Sequence, residues 1–285
     1  VRPFPGNGAI PPPRNASHLV FYDESDLCKK IVEQLTHAGE QIISVTRGTN
    51  LDVGRNAYVI NEEQPKDYEQ LVASLVAHSS IPEKITYLWS LTPSRSVNSP
   101  SLQDPFFSLV FLAQALGKAE ICTPIVLNVI STGVHSVHGG ELLVPENATV
   151  LGPCQVIPLE HPNIQCRYID VELKRTSSSN DELSRLVSEE ICSPILERIV
   201  ACRGKHRWAQ TLEPIRYCHN PSSLRRQHGH YLITGGMGGI GFTFAQYLAN
   251  RYKSPHITIV GRSPFPNRNE WDTYLTDLQD GAVSD

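Results

Sequence analysis

The chain has 285 residues, of which 40% are apolar and 19% charged, with a net charge of −4. That is the composition of a globular protein with one large or two medium domains, and its weak negative charge excludes nucleic acid as an expected partner. Seven scattered cysteines without a CxxC pair exclude a disulfide framework and a zinc site, and no apolar run reaches the roughly 18 residues that a membrane span needs.

Residues 1–16 hold five of the 21 prolines and read as a linker. A repeating pattern then begins. His18–Tyr22 is an apolar run of strand length, followed by the capping residues Asp23–Asp26. Leu27, Ile31, Val32 and Leu35 recur at helical spacing, Gly39 stops that helix, and Gln41–Val45 is the next strand, which completes a β-α-β unit. Further strands are predicted at Ala57–Ile60, Lys84–Trp89, Pro124–Ile130 and Gln165–Val171, and helices at Asp67–Ala77, Ser101–Lys118 and Asn180–Ile199. Pro145–Ile157 has helical character, with Pro153 expected to kink or end it. The polar stretch Cys202–Arg225 reads as a short β extension and connector.

After residue 229 the order strand, helix, strand begins again. The predicted fold class is therefore α/β, a Rossmann-like, mostly parallel sheet with helices on both faces, followed by the first β-α-β of a second Rossmann unit. The expected domains are a linker at 1–16, a first unit at 17–225 and the start of a second at 226–285.

The chemistry sits at that second start. The strand Gly229–Ile233 runs into Thr234, Gly235, Gly236, Met237, Gly238, Gly239, Ile240 and Gly241, and a helical stretch, Phe242–Tyr252, follows. A strand that turns sharply into a helix calls for residues without a Cβ, and the free N–H groups and positive dipole of the helix start attract a pyrophosphate. A strand before, a helix after and a unit of about 30 residues supply the context that makes such a loop a dinucleotide site. Beyond the strand His256–Val260 comes Gly261, then Arg262 and Ser263, 21 and 22 positions after Gly241. An NAD enzyme places a carboxylate near there for the ribose 2′-hydroxyl. An arginine suits a 2′-phosphate, so NADPH is the expected cofactor. The matching turn of the first unit, Phe21–Asp26, has no glycine and three carboxylates, so no dinucleotide is expected there.

Thr-Gly-x-x-x-Gly-x-Gly is the glycine pattern of short-chain dehydrogenases, whose proton donor is a Tyr with Lys four positions later. None of the ten tyrosines has Lys at that position. Tyr247 has Arg251 instead and reads as surface helix. Only 44 residues follow Gly241, enough for one crossover. Both ends read as cut, and the chain is expected to be a piece of something longer that does not reduce a ketone alone.

Tyr231–Gly241 resembles the start of the catalytic subdomain in ketoreductase domains of modular polyketide synthases, within the short-chain dehydrogenase/reductase superfamily. Tyr87-Leu-Trp-Ser-Leu91, Val150-Leu-Gly-Pro-Cys-Gln-Val-Ile-Pro158 and Ala201-Cys-Arg-Gly-Lys-His-Arg-Trp-Ala-Gln210 resemble their structural subdomain, a truncated, cofactor-free version of the same fold. The resemblance covers about residues 17–275. It implies NADPH-dependent reduction of a β-ketoacyl group on an acyl carrier protein, with the rest of the ketoreductase, neighbouring synthase domains and the phosphopantetheine-bearing carrier as partners. It provides no catalytic Ser, Tyr, Lys or Asn in this chain. A non-catalytic pseudo-ketoreductase scaffold is the competing expectation, and a free-standing nucleotide sensor a third.

Minor features have bland readings. The sequons at Asn15 and Asn147 fit chance, and the expected location is cytoplasmic. His135 and His138 flanking a loop lack a third metal ligand. The apolar stripe of Asp104–Phe107 with Leu109, Val110, Phe111 and Leu112 reads as core. Arg225-Arg226 reads as a solvated connector, with an acidic carrier protein as the functional alternative.

Overall fold

A computed structural model describes residues 17–49, 51–54, 56–91, 104–173, 178–194, 197–215, 228–262, 267–273 and 276. The chain divides into two compact units, one ending at Leu212 and one beginning at Glu213. The linker at 1–16, the boundary expected at 225–226, the pair Arg225-Arg226, and the sequon at Asn15 lie outside the described residues.

In the first unit, strand β1 (Ser17–Phe21) leads through helix α1 (Asp26–His37) to β2 (Gln41–Arg47). A short strand β3 (Asp52–Val53) precedes β4 (Ala57–Ile60), α2 (Pro65–Ala77) and β5 (Lys84–Tyr87). Then come α3 (Asp104–Lys118), β6 (Ile125–Thr132), α4 (Leu151–Glu160), β7 (Ile164–Val171), α5 (Ser178–Cys192) and the hairpin β8 (Ile199–Arg203) and β9 (His206–Ala209). The sheet order is β3-β4-β2-β1-β5-β6-β7-β8-β9. The seven inner strands pair in parallel, and only β3 and β9 at the edges run antiparallel. This is the predicted doubly wound sheet. Its order reverses between β1 and β5, which makes the C-terminal ends of those strands the switch point where such sheets bind ligands.

Strand alternation sorts the core onto two faces. Leu19, Phe21, Ile85, Tyr87, Leu127 and Val129 bury against α2, α3 and α4. Val20, Leu88, Ile130, Ile169 and Val200 bury against α1 and α5. The apolar stripe of α3 is core at Leu109 and Leu112 and half-buried at Val110 and Phe111, but Phe107, expected to be core with them, is exposed.

Three expected boundaries move. Helix α5 stops at Cys192, not Ile199: Pro194 follows, and Arg167 of β7 reaches the helix end, where its Nη1 donates to the carbonyls of Glu190 and Ser193. Ile199 instead begins β8. Pro153 does not end α4. It falls in the first helical turn, where no backbone N–H is required, and the helix continues past it to Glu160 after a 3-10 turn at Pro145–Val150. The strand expected to reach Trp89 ends at Tyr87, because Leu88 and Trp89 turn inward to fill the core.

Arg167 also pairs with the Glu190 carboxylate, whose oxygens bond Arg207 of β9 at 2.9 and 3.1 Å. All three side chains are buried. A lone charge there would be costly, but Glu190 pairs with both arginines and Glu197 pairs with Arg207 at 2.8 Å, which fixes α5 to the edge hairpin.

The second unit contains β10 (His230–Thr234), α6 (Gly239–Arg251) and β11 (His256–Val260), with β10 and β11 parallel and in register from His230↔His256 to Thr234↔Val260. Tyr231, Ile233, Ile257 and Ile259 are half-buried, while their alternates His230, Leu232, Thr258 and Val260 point to the open side of the strand pair. Helix α6 starts at Gly239, earlier than the Phe242 expected from apolar spacing, because Gly239, Ile240 and Gly241 already form its first turn.

Candidate functional site

The glycine loop joins β10 to α6. Gly235 takes a φ of +68°, a conformation that disfavours any side chain. Its N–H donates to Val260 O at 2.8 Å, which ties the loop to the end of β11, two residues before Arg262. Gly238 N–H closes the turn on Gly235 O at 3.0 Å. A Cβ on Gly241 would stand 2.5 Å from Gly235 O, and one on Gly236 would stand 2.5 Å from Ile259. Those two glycines let helix, loop and strand touch.

Gly239 differs, since a Cβ there would meet nothing within 4 Å. It lines open space at the helix start. Gly238 is the N-cap and offers no side-chain cap, and the first intrahelical bond runs from Phe242 N–H to Gly238 O at 2.9 Å. The N–H groups of Gly239, Ile240 and Gly241 therefore head the helix with no side chain over them and no acidic residue in the first turn. Ile240 and Met237 are exposed beside them. Arg262 is exposed and makes no ion pair among the described residues. Ser263 lies outside the described residues. Loop and arginine thus meet at one end of the strand pair, with donors and positive charge available to an anion. Tyr247 is exposed on α6, stacked on Phe244, in keeping with a surface helix.

The switch point of the first unit is built the opposite way. The turn after β1 is held by its own acceptors: Asp23 Oδ1 takes the N–H of Ser25 at 3.0 Å, and Ser25 Oγ caps the N–H of Cys28 at 3.4 Å. Trp89 is fully buried and its indole N–H donates to Tyr22 O at 2.9 Å, across from β5 to β1. Phe21 meets it edge-on at 5.2 Å, with Tyr87 at 5.7 Å from Trp89. Arg47 ends β2, the place that Arg262 approaches in the second unit. It lies 4.9 Å over the Trp89 ring, donates to Trp89 O at 3.0 Å and pairs with Glu62 at 2.6 Å. Sequence reasoning found the missing glycines but not this aromatic plug. Trp89 was legible only as an apolar strand residue.

Between β6 and the 3-10 turn, a loop is organised around Glu141. Its carboxylate accepts the N–H groups of Val137, His138, Gly139 and Gly140 at 2.7–3.1 Å, which hold it well below the usual carboxylate range. Asp170 accepts the N–H groups of Val134 and His135 and pairs with buried Arg203 at 2.7 Å. A cavity of about 440 Å³ beneath is lined by Leu91, Thr132, Glu141, Val171 and Arg203. Of its charged residues, Glu141 and Arg203 pair with one another at 3.6 Å, and Glu172 is exposed. His138 packs on Trp208, and no group of three metal-ligating side chains occurs among the described residues. The described cysteines are free, and burial pushes Cys28, Cys166 and Cys202 up to about 12.

Two strand-turn-helix units on parallel sheets define a Rossmann-like α/β fold. Among solved structures, the chain aligns over 98% of its length with 55% of an N-terminal ketoreductase from the macrolactin assembly line, at TM-score 0.66 and 19% identity. The family described as beta-ketoacyl synthase-like, N-terminal, matches residues 17–190, and the KR domain family matches 229–283. The chain belongs to the first of these families, whose model covers more than half of it, and its residues 229–283 match the KR domain family. It is 29% identical over 174 residues to a phenolphthiocerol/phthiocerol polyketide synthase of Mycobacterium tuberculosis, and 31% identical over 182 residues to erythronolide synthase EryA3 of Saccharopolyspora erythraea. These matches cover 59% and 63% of this chain but only 9% and 6% of those proteins. No helix among the described residues is long and apolar enough to cross a membrane.

Proposed function

We propose that this chain is part of a ketoreductase that reduces a β-ketoacyl-carrier-protein thioester to the β-hydroxyacyl form with NADPH. In this reading residues 17–225 are a structural, cofactor-free subdomain and residues 226–285 the opening part of the catalytic one. The observation that carries it is the contrast between the two turns, one stapled shut from within and one presenting uncapped helix N–H groups beside an uncommitted arginine.

The residues present fit the cofactor. Gly239, Ile240 and Gly241 would hold the pyrophosphate through their N–H groups, with Gly235, Gly236 and Gly238 giving the backbone its path and Thr234 and Met237 flanking it. Arg262, with Ser263, would hold the 2′-phosphate. NADPH supplies the hydride when bound. Phosphate binding by these residues orients the cofactor but moves no proton, and the Tyr–Lys pair that would protonate the alkoxide has no counterpart in this sequence. The chain alone therefore binds NADPH weakly and is inactive. Its natural setting is a cytoplasmic synthase module, with neighbouring domains and an acyl carrier protein as partners.

The test is an NADPH oxidation assay on a β-ketoacyl thioester, using the ketoreductase domain carried through to the end of its native sequence. Turnover is expected, and Arg262→Ala should raise KM for NADPH roughly tenfold while leaving KM for NADH in place. Absence of turnover together with absence of a Tyr-x-x-x-Lys downstream overturns the catalytic reading in favour of a structural scaffold.

A further inference from the structure

At the opposite end of the strand pair from the glycine loop, two histidines face one another. His230 and His256 are the first residues of β10 and β11 and are paired directly across the parallel register. Their rings are stacked, with centroids 4.5 Å apart and planes 9° from parallel, and both residues are exposed. Neither ring has a hydrogen-bond partner among the described residues, which leaves the imidazole nitrogens free. Register, not chance rotamers, sets this proximity, since cross-strand neighbours on one face stand about 5 Å apart.

The first unit shows what happens at this position when a sheet is complete. Its equivalents are Ser17 and Gln41, likewise the opening residues of the first two strands and likewise paired with one another. Gln41 is exposed and Ser17 only half-buried, although both faces of that sheet are covered by helices. In that complete sheet the equivalent pair is thus half open to solvent, Gln41 fully and Ser17 in part.

We propose that His230 and His256 form a two-imidazole site for a borderline divalent transition-metal ion, of the class of Zn²⁺, Cu²⁺ or Ni²⁺. Neutral imidazole is the ligand these ions favour, whereas Mg²⁺ and Ca²⁺ prefer oxygen. The nitrogen lone pairs lie in the ring planes, so both side chains rotate out of the stack, as their exposure allows, to bring one nitrogen of each onto a shared ion. No third His, Cys, Asp or Glu completes the set among the described residues, so water fills the remaining positions and the ion exchanges freely. Bound there, it clamps β10 to β11 and stiffens the frame of the glycine loop without touching it. The site is independent of the ketoreductase reading and stands or falls on the pair alone.

The test is titration of the 285-residue chain with Cu²⁺ at neutral pH, read by electron paramagnetic resonance and by the thermal unfolding midpoint. One copper per chain with two equivalent imidazole nitrogens is expected, with a rise in the midpoint. His230→Thr and His256→Gln should each weaken that binding at least tenfold and abolish the rise, with the metal-free far-ultraviolet dichroism unchanged because both side chains are exposed. Undiminished binding in either variant, or a spectrum with a single nitrogen, overturns the site. Double substitution of His135 and His138 serves as the control and should leave binding intact.

Discussion

In the first unit Asp23 closes the turn after β1 by accepting the N–H of the N-cap Ser25, Ser25 in turn caps the α1 N–H of Cys28, and Trp89, Phe21 and Tyr87 pack together at the ends of β1 and β5. In the second unit the turn after β10 places glycines at the same point and leaves the first N–H groups of α6 without a side chain over them. The same strand-turn-helix geometry thus has two outcomes. What decides is whether the helix start is satisfied by the protein's own oxygens or left for a ligand. The arginines near the end of each second strand follow suit: Arg47 is committed to Glu62 and Trp89, and Arg262 makes no ion pair among the described residues. A fold shared by two units is therefore no guide to which of them binds.

Removing the plug is the strongest way to challenge that contrast. Trp89→Ala deletes a fully buried indole with its bond to Tyr22, and should cost roughly 3–5 kcal/mol of first-unit stability in urea unfolding. It should not create a nucleotide site, because Asp23, Glu24 and Asp26 would still repel a pyrophosphate. If NADPH stabilises the Trp89→Ala chain more than it does the parent, the first unit is a masked site rather than a structural one.

A second test separates the two jobs of the glycines. Gly241→Ala forces a methyl to within 2.5 Å of a backbone oxygen, so the second unit should lose about 1–3 kcal/mol in thermal or urea unfolding. Gly239→Ala meets no neighbour and should leave stability unchanged or slightly raised. In the complete ketoreductase domain it should nevertheless weaken NADPH binding several-fold, because its methyl enters the space the cofactor would use. Equal NADPH affinity for Gly239→Ala and parent would show that the open space is not the pyrophosphate site.

Much of this was legible in the sequence. The strands β1, β2 and β4 to β7 were readable from apolar runs, since strands buried on both faces carry unbroken Val/Ile/Leu stretches. The two-residue β3 is too short to leave such a run, and β8 began inside what helical spacing assigned to α5. The glycine loop was readable because its residue types have few other uses. The end of α5 was not, because Arg167, 23 positions before Glu190, helps to terminate it through tertiary contacts. The role of Pro153 depended on where the preceding 3-10 turn handed over to the helix. Trp89 was hidden for a different reason. An apolar side chain that plugs a binding crevice has the same sequence signature as one that fills a core, and only the reversal of strand order at β1 and β5 gives it meaning.

The smallest expected effect comes from exchanging the caps themselves. Ser25 does for α1 what a bound phosphate would do for α6, so Ser25→Ala should cost the first unit about 1 kcal/mol. The reverse exchange is Gly238→Ser. Gly238 has φ −78° and ψ 160°, an extended conformation open to any residue, and a Cβ there meets Gly235 O only at ordinary contact distance, 3.4 Å. The new hydroxyl can accept an N–H of the first turn, which should stabilise the second unit by up to about 1 kcal/mol. The same bond occupies a donor meant for the cofactor and places a side chain between loop and ligand. Stability and NADPH affinity should therefore move in opposite directions in that variant, the first read by urea unfolding and the second by calorimetry on the complete domain. If they rise together, the uncapped helix start is not what distinguishes the second turn from the first, and the contrast would have to rest on Arg262 alone.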